Sequence, residues 1–173
     1  EHRYYSIGNL ERLPLTEKYL KEKKVIFLDR DGVINKKAPQ ADYVKTWEDF
    51  KFLPGAIEAI KLLTEDHYDI YLITNQAGIA RKIVNLDELE KIHNNMKTEL
   101  MDDGIEILDI YVCPHHWNEG CDCRKPQPGM FFKASNDWQF RLDQTLFIGD
   151  DYRDCQASNN AGCNSVLIGN ISE

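Results

Sequence analysis

At 173 residues the chain has room for one compact domain, since domains run to roughly 100–200 residues. It carries 21 Lys and Arg against 29 Asp and Glu, a formal net charge of −8, which argues against general affinity for nucleic acid or anionic membrane because phosphate backbones are held by clustered positive charge. Hydrophobic residues make up 42%, more than disordered chains carry, and no apolar run exceeds the length of Val25-Ile26-Phe27-Leu28, far short of the ~20 residues that cross a bilayer.

Residues 1–23 come first and complete no sheet; their helical part, residues 15–23, leads into the first apolar run. From Lys24 onward short β-branched runs alternate with longer amphipathic stretches. Residues 25–28, 70–73, 107–112, 146–148 and 166–168 are apolar on both faces, as strands buried between helices are. Residues 36–52, with Pro39, Tyr43, Trp47 and Phe50, fit neither period and predict an irregular excursion after the first strand. Residues 56–64 place Ile57, Ile60 and Leu63 on one face, and residues 86–101 place Leu89, Ile92, Met96 and Leu100 on one face; both have the period of helices. Pro54-Gly55 and several Asp and Asn residues mark helix starts, while Gly104 and Gly162 mark ends. This β-α-β-α succession predicts an α/β fold: a doubly wound, mostly parallel sheet with helices on both faces and right-handed crossovers.

In an open parallel sheet, ligands bind beyond the carboxyl ends of the strands. The first strand ends in Asp29-Arg30-Asp31-Gly32, the second in Thr74-Asn75-Gln76, and the fourth in Gly149-Asp150-Asp151 with Asp154 one turn later. Asp29, Asp31 and Asp150 would repel one another without a cation among them, and hard oxygen ligands of this kind suit Mg²⁺, which also takes a phosphate oxygen. After the third strand Arg124-Lys125 supplies the positive charge a phosphoryl group needs. A lone Asp is more often a cap, Asp31 of a turn or Asp150 of the helix near Tyr152, but agreement among several strand ends points to phosphoryl transfer.

Of five cysteines, Cys113, Cys121 and Cys123 crowd together beside His115. Three thiolates and one imidazole close a tetrahedral zinc site with no open position, so the expected Zn²⁺ is structural and pins the loop before Arg124 and Lys125. The competing reading is a set of buried free cysteines. His116 is the weaker ligand candidate, and Cys155 and Cys163 read as core residues of the last helix and its exit. A metal-type cysteine cluster also predicts a reducing, cytoplasmic setting. Trp47, Trp117 and Trp138 are too scattered for a base-stacking platform and predict core or rim packing. The sequon Asn170-Ile171-Ser172 is set aside.

The string Phe27-Leu28-Asp29-Arg30-Asp31-Gly32-Val33-Ile34-Asn35 resembles the first motif of the haloacid dehalogenase superfamily in its phosphatase form. Thr74-Asn75-Gln76-Ala77-Gly78-Ile79-Ala80-Arg81 resembles its second motif, Arg124-Lys125-Pro126 its third and Gly149-Asp150-Asp151-Tyr152-Arg153-Asp154 its fourth. Cys113-Pro114-His115-His116 with the stretch from Cys121 to Met130 is similar to the zinc-bearing heptose bisphosphate phosphatases, and the histidinol-phosphate phosphatases share that loop. The resemblance spans about residues 24–169 and implies a haloacid dehalogenase-like Rossmannoid phosphatase domain, residues 24–173, with no large cap domain.

It further implies that Asp29 is the nucleophile, giving an aspartyl-phosphate, and that Asp31 protonates the leaving oxygen and then deprotonates water. Mg²⁺ would be held by Asp29, the backbone carbonyl of Asp31, and Asp150; Thr74 and Lys125 would bind the transferring oxygens, Lys125 also holding Asp29. Asn75 and Arg124 would contact the rest of the substrate. Asp151 departs from the heptose-enzyme pattern, which has Lys there. The short zinc loop resembles the histidinol-phosphate enzymes, whereas Ala77 to Arg81, Pro128-Gly129-Met130 and the motifs between Asp42 and Gly55 resemble the heptose enzymes and favour a heptose bisphosphate as substrate. The segment from Tyr5 to Arg12 resembles the closing segment of sugar nucleotidyltransferases, implying that residues 1–23 are an extension from a fused nucleotidyltransferase. A catalytically idle sugar-phosphate module is disfavoured by the intact nucleophile, and a phosphatase of nucleic-acid ends by the charge of −8.

Overall fold

The computed structural model describes residues 23–39 and 42–169. The expectations for residues 1–22, the nucleotidyltransferase-like segment among them, and for the sequon at Asn170 lie outside the described residues. The sheet contains β1 (Val25–Leu28), β2 (Asp69–Asn75), β3 (Ile107–Cys113), β4 (Leu146–Gly149) and β5 (Asn164–Leu167), all parallel, in the order β3-β2-β1-β4-β5. The helices are α1 (Ala56–Glu65), α2 (Leu86–Asp102), α3 (Gly129–Trp138) and α4 (Tyr152–Ala161), with a short 3₁₀ turn at Leu142–Gln144.

Alternation along the strands sorts the core into two layers. Val25 and Phe27 of β1, with Tyr71 and Ile73 of β2, face Met130, Phe131 and Ala134 of α3 and Ala157 and Ala161 of α4. Ile26 and Leu28, with Ile70 and Leu72, face Ile60 of α1 and Ile92, Met96 and Leu100 of α2. Phe27 is fully buried with its ring 5.1 Å from that of Phe131, edge to face, and burying a side chain of this size contributes about 1.5–3 kcal/mol. α2 starts where Asn85 accepts the Glu88 N–H at 2.7 Å, with Asp87 and Glu88 in the first turn.

The described residues of the predicted excursion over residues 36–52 form no regular helix or strand; Asn35 forms an antiparallel bridge to Phe52, and the Trp47 and Phe50 rings stack at 4.9 Å. No large cap domain rises from its described residues. β5 differs from expectation. It begins at Asn164 and is an edge strand, and Val166, Leu167 and Ile168 are exposed rather than buried between helices, although α4 packs beside it. α3 has no clear periodic signal, its buried residues Met130, Phe131 and Ala134 being followed directly by Ser135, Asn136 and Asp137. Trp138 packs against the first layer as expected, but Trp117 is 54% exposed. Cys163 is buried and Cys155 half-buried.

The chain runs from β1 outward through β2 and β3, then returns to the other side of β1 for β4 and β5. The order therefore reverses between β1 and β4, which opens a crevice at their carboxyl ends.

Candidate active site

Asp29 and Asp31 leave the sheet at that crevice. The turn after them is closed by the Gly32 N–H donating to the Asn35 carbonyl at 2.7 Å and the Ile34 N–H to the Arg30 carbonyl at 2.9 Å. Gly32 has φ +95°, and a Cβ there would stand 1.9 Å from Asp150 Oδ2, so glycine lets the loops after β1 and β4 approach. Gly149 serves the same end, since a Cβ would meet Asp154 Oδ2 at 2.5 Å.

Lys125 is buried and its Nζ lies 2.8 Å from Asp29 Oδ2, 2.8 Å from Asp154 Oδ1 and 3.1 Å from the Ile73 carbonyl. Burial pushes the Asp29 carboxyl up to about 6; Lys125 opposes this, while Asp154 and Asp31 add to it. Burial works against the Lys125 charge, but Asp29 and Asp154 outweigh it and hold the ammonium above its usual value. Asp29 Oδ1 also accepts the Arg30 N–H at 2.7 Å.

The loop after β4 is built by a capping box. Asp151 Oδ1 accepts the Arg153 N–H at 2.9 Å, and Asp154 Oδ2 accepts the N–H groups of Asp150 and Asp151 at 3.1 Å each. The capping oxygen is thus that of Asp151 rather than Asp150. Asp150 Oδ2 pairs with Lys37 Nζ at 2.6 Å, and its Oδ1 is buried with no hydrogen-bond partner. Carboxylate oxygens of Asp29, Asp150 and Asp154 lie within 4.8 Å of one another. Three such oxygens with one unsatisfied lone-pair site fit a hard divalent cation.

The Asp31 carboxylate is engaged elsewhere, so among the expected magnesium ligands it has only its backbone carbonyl to offer. It accepts from Arg30 Nη2 at 2.9 Å, Asn35 Nδ2 at 2.8 Å and Gln76 Nε2 at 2.8 Å. Burial would raise it, but the Arg30 guanidinium and these hydrogen bonds prevail and hold it below the ordinary carboxylate value. Arg30 is itself buried, with Nη1 3.1 Å from His93 Nε2. Gln76 Nε2 also donates to Thr74 Oγ1 at 2.9 Å, leaving the threonine hydroxyl hydrogen for another acceptor. Asn75 clasps the Lys125 backbone, accepting its N–H at 3.1 Å and donating to its carbonyl at 3.2 Å. Arg124 donates to the His115 carbonyl at 3.3 Å. Asp29, Asp31, Thr74, Asn75, Arg124, Lys125 and Asp150 all line one cavity of about 150 Å³, joined by Lys37, Asp151, Arg153 and Asp154.

Just before Arg124 lies the cysteine cluster. Cys113 Sγ is 3.7 Å from Cys121 Sγ and 3.7 Å from His115 Nδ1; Cys123 Sγ is 3.5 Å from Cys121 Sγ and 3.1 Å from His115 Nδ1. Metal–sulfur bonds of about 2.3 Å at the tetrahedral angle put two sulfurs about 3.8 Å apart, so this donor set fits zinc. Burial raises the Cys113 and Cys123 thiols above their ordinary value, the neighbouring thiols adding to it at Cys123. A cation among them removes that opposition to ionisation.

Asp154, Gln76, Arg30 and Lys37 carry contacts that the sequence reading did not assign. Asp151-x-x-Asp154 has the spacing of a capping box, a usable signal; Lys37 sits in the stretch without period and had none.

A sequence model of the family described as polynucleotide kinase 3 phosphatase matches residues 24–162. The chain is 39% identical over 145 residues to the D-glycero-beta-D-manno-heptose-1,7-bisphosphate 7-phosphatase of Pseudomonas putida, covering 84% of this chain and 82% of that one. It is 40% identical over 147 residues to the D-glycero-alpha-D-manno-heptose-1,7-bisphosphate 7-phosphatase of Campylobacter jejuni, covering 85% and 83%. The crystal structure of the D,D-heptose 1,7-bisphosphate phosphatase from B. bronchiseptica, complexed with magnesium and phosphate, superposes with a TM-score of 0.79 at 38% identity, covering 83% of this chain and 79% of that one.

Proposed function

Because the chain belongs to the polynucleotide kinase 3 phosphatase family, within the haloacid dehalogenase superfamily, we propose that it is a Mg²⁺-dependent phosphatase removing the 7-phosphate of D-glycero-D-manno-heptose 1,7-bisphosphate. The observation that carries this reading is the cleft itself: a nucleophile-grade carboxylate, Asp29, tied to a buried Lys125 and set beside an unpartnered oxygen of Asp150. Both the alpha- and beta-named relatives and the magnesium–phosphate complex support it.

Asp29 attacks phosphorus, the bond to the sugar oxygen breaks, and Asp31 gives that oxygen its proton. Asp31, ionised again, then takes a proton from water, which attacks the aspartyl-phosphate and releases phosphate with Asp29 restored. The Arg30, Asn35 and Gln76 contacts suit Asp31 to the base half; arrival of the phosphoryl dianion beside it raises its proton affinity for the acid half. Lys125 and the Thr74 hydroxyl hold the equatorial oxygens, and Asn75 holds Lys125 in register. Asp29, the Asp31 carbonyl and Asp150 would hold the Mg²⁺, with Asp154 close by, and the ion would neutralise charge between carboxylate and phosphate. Zn²⁺ on Cys113, His115, Cys121 and Cys123 would order Arg124 and Lys125, in a cytoplasmic setting that keeps the thiols reduced. The reading further places the product in nucleotide-activated heptose synthesis for surface lipopolysaccharide. Residues 1–23, as the end of a fused nucleotidyltransferase, complete the proposal.

A histidinol-phosphate substrate is favoured by one feature, the five-residue gap between His115 and Cys121. Phosphate release with Mg²⁺ from heptose 1,7-bisphosphate and histidinol phosphate, side by side with Asp29→Asn as the blank, decides between them. Faster turnover of the bisphosphate, lost in the blank, is expected; preference for histidinol phosphate overturns the heptose assignment.

A further inference from the structure

His93 is the polar member of the buried face of α2, which is otherwise made of Leu89, Ile92, Met96 and Leu100. Its Nε2 lies 3.1 Å from Nη1 of Arg30, a side chain fully shielded from solvent. A guanidinium can only donate, so the ring accepts through the Nε2 lone pair, and the neutral ring carries its proton on Nδ1. The other end of the same guanidinium holds Asp31, Nη2 donating to Oδ2 at 2.9 Å and to Oδ1 at 3.1 Å. Arg30 Nε is buried with no hydrogen-bond partner among the described residues. A buried cation with an unpaired donor is a cost to the fold, and stability alone gives no reason to place it there.

Each of the three side chains on the Asp31 carboxylate has a second anchor. Asn35 Nδ2 also donates to the Lys36 carbonyl at 3.0 Å, and Gln76 Nε2 to Thr74 Oγ1 at 2.9 Å. For the long and rotamer-rich Arg30 side chain the second anchor is His93. The guanidinium is a rigid planar fork, so holding Nη1 sets the direction in which Nη2 points. His93 is in turn set by the core, since Ile92 and Met96 of the same helix pack on the sheet. In the proposed reaction the bond from Asp29 to phosphorus forms, the bond from phosphorus to the sugar oxygen breaks, and the proton passes from Asp31 to that oxygen. The rate of that transfer depends on where the carboxyl is held.

We infer that His93 is a positioning residue of the reaction: through Arg30 it fixes the Asp31 carboxyl where its proton reaches the leaving oxygen. The inference deepens, and rests on, the phosphatase reading of the cleft. His93 acts only through Arg30, so its removal is felt by leaving groups that need a proton and spared by those that do not.

The test reads the first chemical step alone, with Mg²⁺-loaded enzyme in excess over substrate, for two leaving groups. Heptose 1-phosphate leaves heptose 1,7-bisphosphate as an alcohol and must be protonated, whereas nitrophenolate leaves p-nitrophenyl phosphate as the anion. His93→Leu, close in bulk but without an acceptor, is expected to slow the sugar release by about tenfold or more and the nitrophenolate release by less than about twofold. His93→Asn, whose amide falls short of Arg30, is expected to follow His93→Leu, so the result does not hang on one substitution folding. His93→Gln, whose amide oxygen reaches the place of Nε2, is expected to restore most of the sugar rate. On top of Asp31→Asn, His93→Leu is expected to slow the sugar release by less than about twofold further, because its effect runs through Asp31. Two rates that fall by the same factor in His93→Leu and His93→Asn, or that do not fall, overturn the inference and leave the phosphatase reading standing. Wild-type enzyme that releases no heptose 1-phosphate, or whose release is unaffected by Asp31→Asn, overturns the reading of the cleft and the inference with it.

Discussion

Asp29, the proposed nucleophile, sits where burial disfavours its charge. With Asp29 pushed up to about 6 against 3.8 for the free side chain, the metal-free fold binds this proton more tightly than the unfolded chain does. Its stability therefore falls as pH rises from about 4 through about 6, and the penalty is complete above that window. Asp29→Asn removes the penalty while keeping the shape, so metal-free Asp29→Asn is expected to be more stable than metal-free wild type at pH 7.5, by on the order of 2 kcal/mol. Thermal melts should show the gap closing below pH 4 and narrowing when Mg²⁺ is added, which stabilises the wild type alone; a lower melting temperature for the variant at pH 7.5 would refute the account. His93 behaves in the opposite sense. Burial first, and the Arg30 charge next, lower it to about 3, so it is neutral and accepts from Arg30 Nη1. On acidification the unfolded chain is protonated first, and stability is lost between about 6.5 and 3. His93→Gln keeps an acceptor that does not titrate, and its acid-unfolding midpoint, followed by circular dichroism, should move to lower pH than wild type.

At the scale of elements, the proposed zinc loop would govern catalysis by position. Arg124 and Lys125 follow Cys123 directly, and Lys125 Nζ lies 2.8 Å from Asp29 Oδ2. Cys121→Ser is expected to lose stoichiometric zinc, measured on the purified protein, and to lower turnover at saturating Mg²⁺ by more than tenfold, since a misplacement near 1 Å in a catalytic group costs about a hundredfold. Retained turnover without zinc would show that the loop orders itself. The same loop was legible because cysteine and histidine spacing states a donor set outright, just as β1 to β4 were legible from apolar runs and α1 and α2 from their period. α3 was not, because Met130, Phe131 and Ala134 form too brief an apolar face, and its start rests on a tertiary contact, the Gly129 N–H to the Asp122 carbonyl at 2.9 Å. β5 was misplaced because Val166 to Ile168 looks like core while lying at a sheet edge. In the site, residue types at strand ends revealed Asp29, Asp31 and Asp150, but partners such as Asp154 with Lys125, or Gln76 with Asp31, join residues 29 and 45 positions apart and depend on the fold.

For the whole molecule, charge decides which phosphates can reach the cleft. The net charge of −8 opposes the approach of a polyanion, and the cations at the crevice are largely matched by local carboxylates: Lys37 by Asp150, Lys125 by Asp29 and Asp154, Arg153 by Asp151. Such a site would attract one phosphate at short range through Mg²⁺ and fixed donors, and among the described residues these matched cations form no continuous basic track along which a nucleic-acid strand could lie. The family description names a polynucleotide phosphatase, so the distinction can be measured. A 3′-phosphorylated single-stranded oligonucleotide should be turned over with kcat/KM at least about a hundredfold below that for heptose 1,7-bisphosphate, because affinity for a strand comes from many phosphate contacts and this surface supplies few. Low salt should not rescue it, since there is little counterion release to gain. Comparable turnover of the oligonucleotide at 50 mM salt, falling steeply as salt is raised, would instead reveal a strand-binding track and transfer the cleft's specificity from a small sugar to a polymer end.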